Sequence, residues 1–523
     1  MSLVKNVGTI GGLTAVSSVF GFVRDMLLFR VLGAGGVGDA WQLAFQLPNI
    51  FRRLFAEGAF ASAFVPLFNR RMSPDDDLSE ARRFAEEVMA VLIPVLIVFS
   101  ALALIAMPWI AGLFANEGIE GDPQIFDLAV LMARVAFPYL AFMSLATVFA
   151  AILNSLSRFA AAAAAPILLN LCMIVALIYG AVQADSPELR RQVGFLLAIA
   201  VTVSGLLQMA WLGWWAHRHG FRVRIGRPRL TPGVRELGVL ILPAVLGAGV
   251  YQLSRFIDLF FLSTLPDGAY TYLAAGDRLN QLPLGIIGIA LGTAILPSLS
   301  RHIAQDDGEG AFRLQSNAVE LALLLTLPAA VALFVAGSAF TRAFYTGGAF
   351  TIADSMVAGS MVSALVIGLP AYVLIKVLVP NYFARKDTRT PVYTAGGSLL
   401  INVALNFLLV PRFGVVGLAL AGSAAAWCNV AALYTVLALR GHYHLTALVL
   451  SRVVRMAGAA AFMGAVLWYA LPYGTDWYTG SVLERIGAIA ALVAVGGVAF
   501  VAAALALKAV DRGTIDQLRR RPA

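Results

Sequence analysis

Long apolar runs recur along the whole chain and are separated by short polar stretches. Roughly 20 apolar residues cross a bilayer as a helix, and the sequence predicts fourteen such spans. The runs are unbroken and lack the alternation of barrel strands, which excludes a transmembrane β-barrel. We therefore predict an all-α polytopic membrane protein. The approximate spans are 7–32, 39–68, 85–114, 125–153, 160–183, 192–217, 236–264, 269–299, 313–343, 353–383, 391–410, 415–439, 448–471 and 485–508.

The first two predicted spans carry polar side chains in stripes. In the first, Arg24 lies on such a stripe with Asp25 beside it. In the second, polar residues recur at steps of three or four, which places them on one helix face. A charged side chain near the bilayer centre costs about 2.5 to 3.5 kcal/mol on insertion scales, so these faces are expected to line a protein interior or a watery cavity. The stripe of the second span is Gln42, Gln46, Asn49, Arg53 and Glu57.

The composition and charge agree with a membrane protein. Of 523 residues, 60% are hydrophobic and 13% charged, and the net charge is +9. The basic residues concentrate in alternate loops, so by the positive-inside rule the excess charge reflects topology, with both termini cytoplasmic. Contact with anionic membrane lipids is the second interpretation, and no nucleic-acid partner is expected. The largest basic group is Arg218, Arg222, Arg224, Arg227, Arg229 and Arg235.

A weak internal repeat divides the chain. The tripeptide QLP occurs at 46–48 and at 281–283, a period of 235 residues that covers six predicted spans, and Pro66 or Pro297 follows each copy. An even number of spans gives both copies the same orientation, as in transporters with parallel repeats and a binding site between lobes. Chance similarity between apolar helices is the alternative. The predicted domains are an N-lobe at 1–217, a basic cytoplasmic linker at 218–235, a C-lobe at 236–440, and two further helices with a basic tail at 441–523.

Several arginines are expected to meet in one cavity between these lobes. The guanidinium is a planar fork of donors that suits phosphate oxygens and keeps its charge in a low dielectric. The cluster therefore indicates an anionic, phosphate-bearing substrate. The predicted substrate-binding residues are Arg24, Arg52, Arg53, Arg278 and Arg255.

Internal ion pairing is the alternative interpretation of the same arginines. Purely structural ion pairs are an expensive way to hold helices together, because both partners must be desolvated. The pairs it requires are Arg24 with Asp25, Arg53 with Glu57, and Arg278 with Asp277.

Oxygen-bearing side chains in the second lobe suggest coupling to a cation. Asp258 with Asn402 and Asn406 would suit Na⁺, or Asp258 would carry a proton. Alternatively, Asp258 pairs with Arg255, and the asparagines form hydrogen bonds between helices. Signals of enzymatic activity are absent: there is no Walker sequence, and the five histidines lack cysteine partners at metal-ligand spacing. The sequence therefore favours a transporter without a bound cofactor over an enzyme.

The chain carries several specific motifs: GFVRD at 21–25, LPNIFRRLFAEGAF at 47–60, AFVP at 63–66, DRL at 277–279, LGTAILPSLS at 291–300 and the single residue Asp39. They resemble those of the MurJ (MviN) family of lipid II flippases, in the multidrug/oligosaccharidyl-lipid/polysaccharide (MOP) exporter superfamily. The resemblance implies two six-helix lobes in a V and two extra helices that form a groove. It also implies alternating access, which moves undecaprenyl-diphosphate-linked disaccharide pentapeptide from the cytoplasmic to the periplasmic leaflet of the bacterial inner membrane for peptidoglycan synthesis.

The resemblance also implies roles for individual residues. Ser18 stands where many members have an arginine, and we expect Arg255 to compensate. Gly422 replaces a threonine of a sodium site proposed in the family, which weakens the expectation of Na⁺ coupling. The implied cavity arginines are Arg24, Arg52 and Arg278, and the implied gating acids are Asp25, Asp39 and Glu57. Asp277, beside Arg278, is a further predicted gating or ion-pairing acid.

We therefore expect a lipid II flippase whose cavity holds the head group, while the polyprenyl tail follows spans thirteen and fourteen. A membrane potential supplies about 2.3 kcal/mol per charge per 100 mV, which would bias the return of a charged cavity. The expected partners are lipid II, membrane lipids and the peptidoglycan-synthesis machinery. The alternatives are a cation-coupled exporter of drugs, an exporter of another polyprenyl glycolipid, or a non-transporting membrane scaffold that recruits cell-wall enzymes.

Overall fold

The structure is a computed structural model that describes residues 3–55, 59–72, 78–183, 185–222, 224 and 226–509. Over these residues the chain forms helices joined by short turns. The helices are α1 (Leu3–Leu32), α2 (Gly36–Phe55), α3 (Ala59–Arg70), α4 (Ser79–Phe114), α5 (Glu117–Glu120), α6 (Pro123–Ala136), α7 (Tyr139–Ser155), α8 (Phe159–Ala181), α9 (Pro187–Arg218), α10 (Pro232–Ser263), α11 (Ala269–Pro283), α12 (Ile289–Ala304), α13 (Gly308–Tyr345), α14 (Ile352–Val366), α15 (Leu369–Ala384), α16 (Arg389–Phe413), α17 (Val415–Leu439), α18 (Ala447–Ala470) and α19 (Val482–Ala506).

Ten helical segments of the described chain are long and apolar enough to cross a membrane. They correspond to predicted spans three to six and nine to fourteen. Helices also cover the first, second, seventh and eighth predicted spans, as α1, α2 with α3, α10, and α11 with α12. The all-helical membrane fold is thus confirmed, whereas the count of fourteen spans stays a prediction.

Several helices begin where short polar side chains can cap them. The hydroxyls of Ser186 and Thr231 accept from backbone N–H groups three residues later, and a proline follows each cap. Proline suits the first helical turn, because its missing N–H would have no partner there. Helices α14 and α19 begin with full capping boxes, in which the cap and an acidic residue three positions on bond each other's backbone.

The chain forms two compact units. The first contains residues 1–271 with 347–350, and the second contains 272–346 with 351–523. Helix α10 belongs to the first unit, where it packs against α2, α3 and α4. The units therefore divide one helix later than the lobe boundary proposed from the sequence, and the two six-span lobes stay a prediction.

The core of the first unit is built on aromatic side chains at helical spacing. Phe60, Phe64 and Phe68 lie four residues apart on α3, so their rings share one face and stack at 5.2 and 5.5 Å between centroids. Phe84 of α4 stacks on Phe64 at 5.5 Å, and Phe221, beyond α9, contacts Phe68 at 5.7 Å. This packing fixes α3 against α4 and the end of α9.

The second unit is organised around α13, its longest helix. It packs against α14, α15, α18 and α19. Between α11 and α12, a π-helical turn at Leu284–Gly288 follows Pro283 directly. A proline removes one backbone hydrogen bond of a helix, and π-helical turns of this kind are frequent at functional sites.

Candidate functional site

Arg24 is held by partners on two helices of the first unit. Its Nε and Nη2 donate to Oδ1 of Asp25 at 2.8 and 2.6 Å, and its Nη1 donates to Oδ1 of Asn170 on α8 at 2.9 Å. The Asn170 amide in turn donates to the carbonyl of Ser17 at 3.0 Å. The side chains of Arg24 and Asp25 are 14% and 10% exposed. The predicted pair is therefore present, and it links α1 to α8.

The arginines of α2 differ in their surroundings. Arg52 is partly buried, and its Nε donates to Oδ1 of Asn49, one turn earlier, at 3.2 Å. Arg53 is exposed. Glu57, the predicted partner of Arg53, lies outside the described residues, so that pair stays a prediction. The pattern of burial agrees with two neighbouring arginines that point in different directions around the helix.

Asp39 is fully buried in the first turn of α2 and surrounded by donors. Its Oδ1 accepts from the backbone N–H and the hydroxyl of Thr271, at 2.9 and 2.8 Å. Its Oδ2 accepts from the backbone N–H of Gly268 at 2.8 Å and the amide of Asn116 at 2.7 Å. Because α11 begins at Ala269, the carboxylate lies at the positive end of that helix. It therefore anchors the start of α11 to the start of α2.

Backbone segments approach one another closely around this anchor. A Cβ added to Gly36 would lie 2.7 Å from the carbonyl of Gly118, and one added to Gly33, whose φ is +74°, would lie 2.6 Å from that of Ala349. The backbone N–H of Ala349 donates to the carbonyl of Arg30 at 2.7 Å. The turn that contains Ala349 is thereby joined to the end of α1. Larger side chains at these glycines would force the segments apart.

Arg255 and Asp258 face each other one turn apart on α10. Their Nη1 and Oδ2 atoms are 4.0 Å apart, and the side chains are 30% and 23% exposed. This arrangement agrees with the alternative interpretation, in which Asp258 pairs with Arg255 instead of binding a cation. Asp258 belongs to the first unit and the two asparagines to the second, so the three-residue cation site stays a prediction.

In the second unit, Asp277 and Arg278 lie on α11 and are partly buried. The amide of Gln281 donates to Oδ2 of Asp277 at 2.6 Å. Gln281 begins the second QLP copy, so this bond connects the repeat motif to the acidic residue one turn before it. An ion pair between Asp277 and Arg278 stays a prediction.

The two asparagines of α16 are buried and bonded to each other. The amide of Asn406 donates to Oδ1 of Asn402 at 3.2 Å. Oδ1 of Asn406 has no hydrogen-bond partner among the described residues. A buried carbonyl oxygen without a donor is the type of atom that a hard cation such as Na⁺ prefers. No cluster of three His, Cys, Asp or Glu suited to a metal occurs within the described ranges.

An apolar groove of about 710 Å³ runs along the second unit. Its walls come from α11, α13, α18 and α19, and its lining includes Phe340, Leu467 and Gly497. In the same unit, Arg485 donates to the carbonyls of Thr346 at 2.6 Å, Thr479 at 3.0 Å and Gly480 at 2.8 Å. These bonds tie the α18–α19 connection to the end of α13. The groove suits a long apolar chain.

Comparison with known proteins identifies the family. The family model described as "Lipid II flippase MurJ" matches residues 28–487. A probable lipid II flippase MurJ of Rhizobium meliloti is 43% identical over 91% of this chain and 88% of its own length. The chain belongs to the MurJ family. A lipid II flippase MurJ of Burkholderia cenocepacia is 33% identical over 94% of this chain and 95% of its own length.

Solved structures support the fold of the MurJ family. A lipid II flippase MurJ in an inward closed conformation matches with a TM-score of 0.75 at 22% identity, covering 95% of this chain and 97% of that one. An inward-facing multidrug resistance MATE transporter of the MOP superfamily matches with a TM-score of 0.60 at 14% identity, covering 81% and 94%. The predicted MOP fold is therefore confirmed. Family membership and the ten apolar helices identify a multi-pass protein of the bacterial inner membrane.

Three partners of the MurJ-type residues were missed from the sequence. Asn170 was a detectable signal, because an amide inside the apolar run of α8 needs a partner. Asn116 begins the loop at 116–124, whose sequence gives no sign of a partner, and Thr271 is one hydroxyl among many. Only tertiary structure assigns these last two to Asp39.

Proposed function

We propose that this protein is a lipid II flippase, which moves undecaprenyl-diphosphate-linked peptidoglycan precursor from the cytoplasmic to the periplasmic leaflet. The main support is the match of residues 28–487 to the family model described as "Lipid II flippase MurJ". The proposal includes alternating access between two lobes of six spans. Both termini are cytoplasmic in this proposal, in agreement with the positive-inside rule.

The proposed head-group site consists of the cavity arginines. Arg24 supports it best, because it is a partly buried guanidinium whose partners, Asp25 and Asn170, position it without covering it completely. An incoming diphosphate would compete with Asp25 for the guanidinium, and phosphate oxygens accept the same paired donors. Exchange of Arg24 between Asp25 and substrate would connect binding to the α1–α8 contact. The other proposed members are Arg52, Arg53, Arg278 and Arg255.

The acidic residues have gating roles in this proposal. Asp39 holds the start of α11, and its release would free the helix on which Asp277 and Arg278 lie. Asp25 would exchange Arg24 with the substrate. Glu57 is assigned a gating role by resemblance alone.

The apolar groove is proposed to hold the polyprenyl tail. It is lined in part by α18 and α19, the helices proposed for the tail from the sequence. Because lipid hydrocarbon is as apolar as the groove, the tail would be held there by packing rather than by removal of its surface from water. The head group would then move through the protein while the tail stays in an apolar environment.

Energy would come from the membrane potential and from a coupled cation. Asn402 and Asn406 fit part of a Na⁺ site, since Oδ1 of Asn406 is buried without a donor in the described chain. Asp258 would supply charge to Na⁺ or carry a proton. The peptidoglycan-synthesis machinery is the proposed consumer of the product.

Purified protein in liposomes tests the substrate assignment. Fluorescent lipid II, a second polyprenyl-diphosphate glycolipid and a cationic drug would each be offered, with and without a membrane potential. The proposal predicts that lipid II crosses and that the drug does not. Movement of the second glycolipid alone would change the assigned substrate, and movement of the drug alone would indicate a drug exporter.

A further inference from the structure

The segment between α9 and α10 presents concentrated positive charge. Residues 218–235 contain six arginines and no acidic residue. We call the stretch from 218 to 230 the arginine strap. Its exposed arginines beyond the end of α9 are Arg222, Arg224, Arg227 and Arg229.

Both ends of the arginine strap are fixed to the protein. At its start, Phe221 is only 1% exposed and packs in the aromatic core of the first unit. The backbone N–H of Arg224 donates to Oε1 of Glu86 at 2.7 Å. Beyond its end, Thr231 donates to Oε2 of Glu87 at 2.7 Å and caps α10. The strap is thus held along the first turns of α4, with its arginines directed outward.

Nearby carboxylates are occupied by other donors. Glu86 accepts the backbone of Arg224 rather than a guanidinium, and Glu87 accepts from Thr231 and Arg83. Glu236 accepts from two other arginines, Arg70 and Arg71, both at 3.1 Å. None of these three carboxylates forms an ion pair with the four exposed strap arginines, so the guanidiniums stay available to a ligand.

Exposed apolar side chains flank the strap at both ends. Trp214, in the last turns of α9, is 49% exposed, and the Arg218 guanidinium lies 5.4 Å from its ring centroid. Leu230, at the other end of the strap, is 65% exposed. Tryptophan is enriched at membrane–water interfaces, and an exposed leucine is stabilised there. Such side chains are typical of segments at a membrane surface, next to the points where helices leave the bilayer.

We propose that the arginine strap is a binding surface for the headgroups of anionic phospholipids. Guanidiniums bind phosphate oxygens through paired donors, and each basic residue near an anionic leaflet strengthens binding by about fivefold. Because the strap is the covalent connection between α9 and α10, bound lipid would hold this connection at the membrane surface. The inference does not depend on lipid II transport.

Lipid binding to the full-length protein tests this proposal. Native mass spectrometry of the purified protein would compare phosphatidylglycerol with phosphatidylcholine at about 0.1 M salt, where charges interact over about 10 Å. The strap variant replaces Arg222, Arg224, Arg227 and Arg229 with glutamine. A control with the same charge change replaces Arg158, Arg301, Arg313 and Arg389, which are also exposed.

The strap variant is expected to bind phosphatidylglycerol at least about tenfold more weakly, while the control stays within about twofold of the parent. Phosphatidylcholine binding should not change. Equal effects of the two variants, or no preference of the parent for phosphatidylglycerol, would overturn the proposal. A strap variant that loses lipid II binding but keeps phosphatidylglycerol binding would also overturn it, because the strap would then be a substrate entry surface. Thermal unfolding of both variants checks their folding, and liposome flipping reports separately on the proposed function.

Discussion

Oδ1 of Asp39 accepts both the backbone N–H and the hydroxyl of Thr271, at 2.9 and 2.8 Å. Two residues 232 positions apart are thereby joined in a fully buried contact. The other carboxylate oxygen binds Gly268 and Asn116. This single side chain connects α2, the loop before α5 and the start of α11. Any movement of α11 away from α2 must break these bonds.

Replacement of Asp39 by asparagine should destabilise the protein. An amide supplies only one acceptor oxygen to four donors, and a buried donor left unsatisfied costs about 1–3 kcal/mol. The melting temperature of the purified variant should therefore fall clearly below that of the parent. Asp185→Asn is the control, because that carboxylate is exposed and binds Arg190 outside this anchor. Equal melting temperatures for the parent and Asp39→Asn would show that the anchor does not contribute to stability.

Substitutions at Arg24 and Asn170 should separate substrate binding from structural pairing. Arg24→Lys keeps the charge but cannot donate to Asp25 and Asn170 with the same fork, so lipid II flipping should fall at least about tenfold, as expected for loss of about 1.4 kcal/mol. Asn170→Ala removes only the link to α8 and should lower the melting temperature while most flipping remains. If Asn170→Ala abolishes flipping as completely as Arg24→Lys, the structural role of Arg24 explains both results.

Filling the apolar groove should block the lipid tail. A Cβ on Gly497 meets no atom of the described residues within 4 Å, and this glycine lines the groove. Gly497→Phe would therefore place a ring in the groove without a clash at its base. Binding of polyprenyl-diphosphate lipids should weaken severalfold. Gly487→Phe is the matched control, since Gly487 is equally open and lies on the same helix outside the groove lining. Unchanged lipid binding in Gly497→Phe would remove the groove from the substrate path.

The turn after α15 should make stability depend on pH in acid. Hydrogen bonds from the Thr390 hydroxyl and N–H, and then from Arg440, hold the pKa of the Asp387 carboxyl well below its usual value of 3.8. A lowered pKa stabilises the folded state above the unfolded pKa, and this stabilisation is lost as the pH falls below about 4. Between pH 6 and pH 3 the melting temperature of the parent should therefore fall more than that of Asp387→Asn. Parallel curves for the two proteins would contradict this assignment.

The sequence predicted local relationships well. Arg24 and Asp25 are adjacent, so their pairing required no knowledge of the fold, and the cost of placing them in a membrane marked α1 as functional. Arg255 and Asp258 are one turn apart on α10 and likewise pair. The apolar runs predicted the ten long helices, because the length of an apolar run is enough to identify a helix that can cross a membrane.

Long-range relationships could not be predicted in the same way. Asn170 lies 146 positions from Arg24, and no periodicity connects them. Asp39 stands out in the sequence only through its match to the MurJ family, because its donors, two backbone N–H groups and two side chains, come from distant segments that no sequence pattern connects to it. The π-helical turn after Pro283 was also missed, since a proline predicts a disturbed helix without specifying its form.

The most direct test of the account is replacement of a cell's lipid II flippase by this protein. The parent, Arg24→Ala and Arg278→Ala would be produced at matched abundance, with Gly487→Phe as a control, and the appearance of lipid II in the outer leaflet would be followed. The account predicts that the parent and the control restore flipping and that both arginine variants fail. Normal flipping by the arginine variants, or no flipping by a correctly inserted parent, would contradict it.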